Sequence, residues 1–300
     1  MTAIIEPQII GPEAEKLLTW DGLMAALEAG HRLPRAEIKD ILLYRGRDTL
    51  LNRAAWIDGL GQLVKVGTIF PGNAPIRPTV NGVVTLFDDV TGEVAALLDF
   101  HLVTKWKTAG DSLLAAKRLA RRDARRILLV GSGTVARSMV QAYGSAFPGA
   151  EFTVWSRRNA GALGLPVADD LQAAVARADI ICCATMATAP VVLGCWLQPG
   201  QHLDLIGAYT PDMREVDDVA MGRARVFVDS RATTLHHIGE LMAPLASGAI
   251  TEADVVADFY DYPGLFSRQS DDEITIAKNG GGAHLDLMTA DYIRRCWALR

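Results

Sequence analysis

A chain of 300 residues, half of them hydrophobic and 22% charged, has the composition of a globular protein and the length for two domains with a core each. A net charge of −5 argues against general affinity for nucleic acid or anionic membrane; the cluster Arg121, Arg122, Arg125 and Arg126 reads as a solvated helix end and strand start. The four cysteines (Cys182, Cys183, Cys195, Cys296) show neither metal-ligand spacing nor a disulfide framework, which points to the cytoplasm.

The opening residues lack the basic and long apolar regions of a signal peptide. The first third has no strand–helix alternation. Asp21 can cap a helix running through Glu28, with Gly30 ending it. Strand-like runs follow at 38–44, 49–57, 62–70, 80–87 and 94–98, separated by Gly-, Asp- and Pro-containing turns. Such short connections imply antiparallel pairing. Trp106, Ala109, Leu113, Ala116 and Ala120 recur at helical spacing, predicting a long helix over 104–119 with Thr104 as N-cap.

From Arg125 onward strands (127–130, 152–155, 180–184, 202–206, 226–229) alternate with helices (134–146, 171–177, and a short one within 216–222). That alternation predicts a doubly wound parallel sheet. The uncharged run 180–197 is broken by Thr185, Thr188, Pro190 and Gly194, so it reads as strand, loop and short helix and not as a membrane span. After Pro244 the pattern loosens, then gives a strand at 274–277 and a helix over 283–297. The expected architecture is α/β: a Rossmann unit beside an α+β domain with a mostly antiparallel sheet.

The motif with most chemical content is Gly131-Ser132-Gly133-Thr134-Val135-Ala136, which follows an apolar strand and opens a helix. Gly131 permits the sharp turn, Gly133 lets backbone approach a pyrophosphate, and Ala136 keeps helix and strand close. The helix N-terminus offers N–H groups to the phosphates. The second strand of such a unit ends beside the adenosine ribose. Here it ends in Ser156-Arg157-Arg158 with no acidic residue, the pattern for a 2′-phosphate and therefore NADP(H). The alternative is a pair of solvated arginines. Gly280-Gly281-Gly282 signals either close approach to backbone or a linker into the last helix.

Two lysines stand out. Lys65 shares a strand face with Leu63, and pattern alone favours a snorkelling side chain over a desolvated one. Lys107, in the first turn of the predicted long helix, is either an anion ligand or a tolerated surface lysine. His101, His236, His237 and His284 have no metal spacing, and no Ser-His-Asp set can be assembled.

Ordered blocks along the chain resemble the ornithine cyclodeaminase/mu-crystallin family. They include Lys65 with Phe70-Pro71-Gly72-Asn73 and Pro78-Thr79, Val103 to Ala109, Gly131-Ser132-Gly133, Ala178-Asp179-Ile180 with Ala184-Thr185, Gly207-Ala208, Val228-Asp229-Ser230, Gly239-Glu240, and Ile274-Thr275-Ile276 through Gly281 to Asp286-Leu287. The resemblance implies a substrate and dimerisation domain (1–118 with the terminal helix 285–300), a nucleotide domain (119–284) and a homodimer. It implies that Lys65 serves the reacting nitrogen and carboxylate of a small amino or imino acid. Lys107 and a basic residue at the start of the first strand, Arg35 by order or Arg53 by hairpin length, hold the carboxylate. Thr79 lies near substrate or cofactor, and Thr185, Gly207, Tyr209, Gly280 and Gly281 join the cofactor site. Two departures matter. Lys107 stands where the family usually has arginine, and Tyr209 stands where ornithine cyclodeaminases have an acid. The second disfavours ornithine cyclisation and leaves NADPH-dependent reduction of a cyclic ketimine, such as Δ1-pyrroline-2-carboxylate to L-proline. The alternatives are an ornithine cyclodeaminase, an alanine-type dehydrogenase, and a non-catalytic ligand-binding protein of the mu-crystallin kind.

Overall fold

A computed structural model of the chain describes residues 6–74 and 76–300, so most of the opening stretch lies outside the described residues. The chain divides into two compact units, Met1–Lys107 with Gly282–Arg300, and Thr108–Gly281.

The first unit starts with β1 (Gln8–Ile10), a short 3-10 turn and α1 (Trp20–His31). Thr19, not Asp21, caps α1: its backbone is extended and its hydroxyl accepts from the Gly22 N–H at 3.1 Å, whereas Asp21 already lies inside the helix. Five strands follow, β2 (Glu37–Arg45), β3 (Asp48–Ile57), β4 (Gly61–Ile69), β5 (Val80–Phe87) and β6 (Val94–Asp99). They form an antiparallel meander, and β1 adds to β6 in parallel, giving the order β1-β6-β5-β4-β3-β2. On β4, Leu63, Lys65 and Gly67 are buried while Val64 and Val66 are half-buried, the two-residue period of a sheet with one covered face.

The long helix α2 (Phe100–Leu119) begins four residues earlier than its periodicity suggests. Asp99, the last residue of β6, accepts from the Leu102 N–H at 2.7 Å and is the true cap. Thr104 therefore sits in the second turn, and Lys107 lies two turns into the helix, beyond the reach of its positive end. The division between units falls inside this helix. Residues from Thr108 onward bond to the second unit: the Thr108 carbonyl and Ser112 hydroxyl meet the Asn279 amide, and the Ser112 carbonyl meets the Tyr143 hydroxyl. The expected limit at 118/119 falls too late for that reason.

The second unit contains β7 (Arg126–Val130), α3 (Thr134–Ala146), β8 (Glu151–Trp155), α4 (Leu171–Arg177), β9 (Ile180–Cys183), β10 (His202–Leu205), α5 (Asp218–Arg223), β11 (Arg225–Val228), α6 (Arg231–Thr234), α7 (Gly239–Ser247), β12 (Val255–Ala257) and β13 (Thr275–Lys278). All seven strands are parallel, in the order β12-β11-β13-β10-β9-β7-β8. The winding reverses at β7, with β8 on one side and β9 on the other. This is the switch point at which doubly wound sheets bind ligands. Alternate residues Leu128, Val130, Ile181, Cys183, Leu203, Leu205, Val226 and Val228 form one buried face with Val175, Met221 and Leu241. The opposite face carries buried His202 and Asp204 as well as apolar side chains.

The last helix, α8 (Ala283–Ala298), returns to the first unit and packs on α1 and on β2 to β5. It enters that core from its first residue, Ala283, so the second division falls at 281/282 rather than 284/285.

Candidate functional site

The first unit gathers its chemistry on the covered face of β4. Lys65 is only 3% exposed. Its Nζ donates to Asp286 Oδ1 at 2.8 Å and to Thr104 Oγ1 at 2.7 Å, and lies 4.5 Å from the centre of the Phe100 ring. Thr104 can accept because its own proton goes to the Phe100 carbonyl at 2.7 Å. An ammonium carries three donors, and the third has no partner among the described residues. Lys65 therefore does not snorkel; the helix laid over its strand places a carboxylate opposite it, which a one-strand pattern cannot reveal.

Arg53 is directly opposite Lys65 in the β3–β4 register. It is tied across to Asp40 on β2 at 3.0 Å through Nε and 2.7 Å through a terminal nitrogen. Lys107, 5% exposed, joins the same group from α2, so it is not a surface lysine. Burial tends to raise the Asp286 carboxyl, but the charges of Lys65, Lys107 and Arg53 outweigh it and hold the group below its usual range. Burial and the cationic side of His31 and Lys107 push His284 well down, leaving a neutral imidazole set edge-on to His31 at 5.6 Å between ring centres. Arg35 lies exposed ahead of β2. Thr79 is half-buried just before β5, its carbonyl accepting from the Phe70 N–H at 2.7 Å. Lys105, beside Lys107 in sequence, pairs with Glu15 at 2.5 Å.

The second unit holds the glycine turn at the C-terminal end of β7. Gly131 has φ 113°, and a Cβ there would lie 2.5 Å from the Ala184 carbonyl oxygen. Gly133 caps α3 and faces open space where a side chain would be. The Thr134, Val135 and Ala136 N–H groups have no intrahelical acceptor, so the cradle fits a pyrophosphate. Beside it, Ser156 Oγ donates to the Arg158 carbonyl at 2.7 Å and lies 3.2 Å from Ser132 Oγ. Arg157 and Arg158 are exposed, and neither guanidinium has an acidic partner among the described residues.

On the other side of the switch point, Thr185 donates through both N–H and Oγ1 to Glu215 Oε1, each at 2.8 Å. Gly207 donates to Glu215 Oε2 at 2.7 Å, and Tyr209 beyond it is 57% exposed. The Gly281 N–H donates to Asp229 Oδ2 at 2.8 Å. Gly280 is packed so tightly that a Cβ would come within 2.5 Å of Thr234 Cγ2. The glycine run is thus a built turn, not a linker, and at Gly280 the chain's own atoms come close.

Sequence reasoning missed Asp286, Thr104, Glu215, Asp229 and Glu240 as organising groups. Asp286 reads as an ordinary first-turn acid of α8, and Glu215 falls in a loop with no pattern. Among the described residues no cluster of His, Cys, Asp and Glu is gathered for a metal ion, and no helix is long and apolar enough to cross a membrane.

Residues 61–298 match the family model of the ornithine cyclodeaminase/mu-crystallin family. This chain belongs to that family. A Δ1-pyrroline-2-carboxylate reductase of Paracoccus denitrificans (strain Pd 1222) is 52% identical over 301 residues, covering 95% of each chain. The solved Δ1-pyrroline-2-carboxylate reductase of Thermococcus litoralis, in complex with NADH and L-proline, shares the fold at TM-score 0.88. It is 24% identical and covers 97% of this chain and 98% of that one. An archaeal alanine dehydrogenase dimer with bound NAD superposes at TM-score 0.87 and 26% identity, covering 98% and 96%.

Proposed function

We propose that the protein is a nicotinamide-dependent reductase of small cyclic ketimine acids, reducing Δ1-pyrroline-2-carboxylate to L-proline with NADPH. The observation that carries this reading is the buried Lys65 ammonium, held by Asp286 and Thr104 with one donor to spare and with Arg53 and Lys107 close by. The reductase of 52% identity supports the substrate class.

The cofactor, when bound, supplies the hydride to the imine carbon. Gly131, Ser132, Gly133, Thr134 and Val135 would hold its pyrophosphate, and Thr185, Gly207, Tyr209, Gly280 and Gly281 would receive its nicotinamide half. Arg53 and Lys107 bind the substrate carboxylate, desolvating it among cations. Arg53 takes precedence over Arg35 because strand register sets it beside Lys65. Lys65 holds a proton at Nζ and offers it to the imine nitrogen, which accepts the C=N electron pair as carbon gains hydride. Asp286 and Thr104 fix Nζ so that little reorientation is needed in the transition state.

Ser156, Arg157 and Arg158, with no acid at the end of β8, favour NADP(H). The two solved relatives hold NADH and NAD, so comparing the KM values of NADPH and NADH is the deciding measurement. A second copy covers the edge strand β2, where Ile41, Leu42, Leu43 and Tyr44 are 45–72% exposed. Four free cysteines suit a reducing compartment, the cytoplasm.

Purified protein with NADPH and Δ1-pyrroline-2-carboxylate will lose absorbance in step with proline formation. Absence of turnover with either NADPH or NADH would reject the reductase, and binding without turnover across an imine panel would favour the ligand-binding alternative. Ammonia release from L-ornithine or L-alanine with oxidised cofactor would favour the cyclodeaminase or dehydrogenase. Replacing Arg157 and Arg158 by alanine raises the KM for NADPH and spares that for NADH.

A further inference from the structure

The hydrogen-bond ladders of β9 and β10 end where the turns carrying Thr185 and Gly207 begin. Backbone N–H groups leaving a ladder must find acceptors elsewhere. One carboxylate serves both turns. Glu215 Oε1 takes the N–H and Oγ1–H of Thr185, and Oε2 takes the N–H of Gly207, with Ala208 N 3.4 Å away. Burial and the neighbouring Glu240 raise this carboxyl to about 7, while Lys278 and the donors from Thr185 act the other way and favour the ionised, acceptor-only form.

The clamp is itself held. Glu215 is completely buried, and its N–H donates to Glu240 Oε2 at 2.7 Å, while Val216 N–H donates to Oε1 at 3.0 Å. Lys278, whose Nζ donates to the Leu205 and Asn279 carbonyls, is the cation facing both carboxylates. Gly207 leaves space for the arrangement: a Cβ there would lie 2.6 Å from Glu215 Oε1. The tie spans two adjacent strands on the β9–β10 side of the switch point. The glycine turn and the Ser156 to Arg158 segment on the β7–β8 side are outside it.

We propose that Glu215 is a positioning residue for the nicotinamide half of the dinucleotide, fixing the two turns that receive it while leaving the adenosine half untouched. This rests on the nicotinamide reading above. In a doubly wound sheet the two halves of a dinucleotide lie on opposite sides of the switch point, so a tie confined to one side acts on one half.

The test uses the full chain with Glu215→Gln, whose amide –NH2 would point at the donors that a carboxylate oxygen now accepts. Binding of NADPH, and separately of adenosine 2′,5′-bisphosphate, is followed by calorimetry (NADH and ADP if the protein prefers NADH). NADPH affinity is expected to fall about tenfold or more, since buried donors lose their acceptor. Affinity for the adenosine fragment is expected to stay within about twofold, because its contacts are distant and independent. Glu240→Gln, which loosens Glu215 without touching either turn, is expected to shift NADPH alone by about threefold, and it decides the matter if Glu215→Gln does not fold. A parallel loss for both ligands, or no change for either, overturns the proposal. Failure of the unaltered protein to bind any nicotinamide nucleotide would instead overturn the cofactor reading on which it stands.

Discussion

Replacing Asp286 by alanine leaves the Lys65 ammonium in a place where it is 3% exposed, with the Thr104 hydroxyl as its remaining acceptor. The two charges now sit 2.8 Å apart. At an effective dielectric constant of about 20 their attraction is about 6 kcal/mol. Desolvating the two ions costs several kcal/mol each, so the intact pair contributes little net stability. Removing one partner is different, because the other remains buried and uncompensated; Asp286→Ala is expected to cost about 3–5 kcal/mol. The double variant Lys65→Met/Asp286→Leu removes both desolvation costs, and should recover to within about 1–2 kcal/mol of the unaltered protein. Urea unfolding followed by circular dichroism measures all three, and reductase turnover should be lost in each variant. A single variant within about 1 kcal/mol of the parent, or a double variant no more stable than the single, would refute a buried ion pair at this place.

Gly131→Ala should abolish NADPH binding in a fluorescence titration and lower stability by about 1–3 kcal/mol, because φ is positive and the new methyl meets the Ala184 carbonyl. Lys107→Met should raise the substrate KM by about 10–100-fold with a smaller change in kcat, the loss of a charge-assisted bond to a carboxylate, read from steady-state kinetics. Acid stability has a defined contributor in Asp179. Burial pushes this carboxyl up, but bonds from Arg126 and the Arg125 and Arg126 N–H groups prevail and bring it down to about 2 from an unfolded value of 3.8. Its stabilisation is therefore complete above the unfolded value and is lost as pH falls through about 2. With Arg126 half exposed and screened by solvent, Asp179→Asn should cost about 1–2 kcal/mol at neutral pH, a difference that vanishes at the acid end of a pH–denaturation series.

The Rossmann unit was legible because its signals are local. A buried strand, the turn at Gly131 and the helix after it are consecutive in sequence, and β7 and β9 are apolar runs buried on both faces. The meander was legible from its turns. The cap of α2 was not, because a helix that starts directly from a strand leaves no loop to mark its beginning, and Thr104 imitates a cap. Order along the chain favours Arg35, with Arg53 the alternative by hairpin length; the β3–β4 register is what sets Arg53 beside Lys65. The pattern of β4 alone favours a snorkelling Lys65, because the group that pairs with it, Asp286, lies on a helix distant in sequence. Glu215 was missed because its meaning lies in the donors around it, and those belong to turns with no pattern of their own.

The Lys65–Asp286 bond joins residues 221 positions apart. At typical synthesis rates of about 5–20 residues per second, the lysine waits roughly 10–40 s for its counter-ion. Within that interval Thr108–Gly281 is synthesised and can begin to close its own parallel sheet, while the meander still lacks the helix that covers it. The order of completion is then the reverse of the order of synthesis: the unit begun first is finished last. A chain stopped at Gly281 would carry a folded nucleotide unit and an open sheet with a bare ammonium on its inner face.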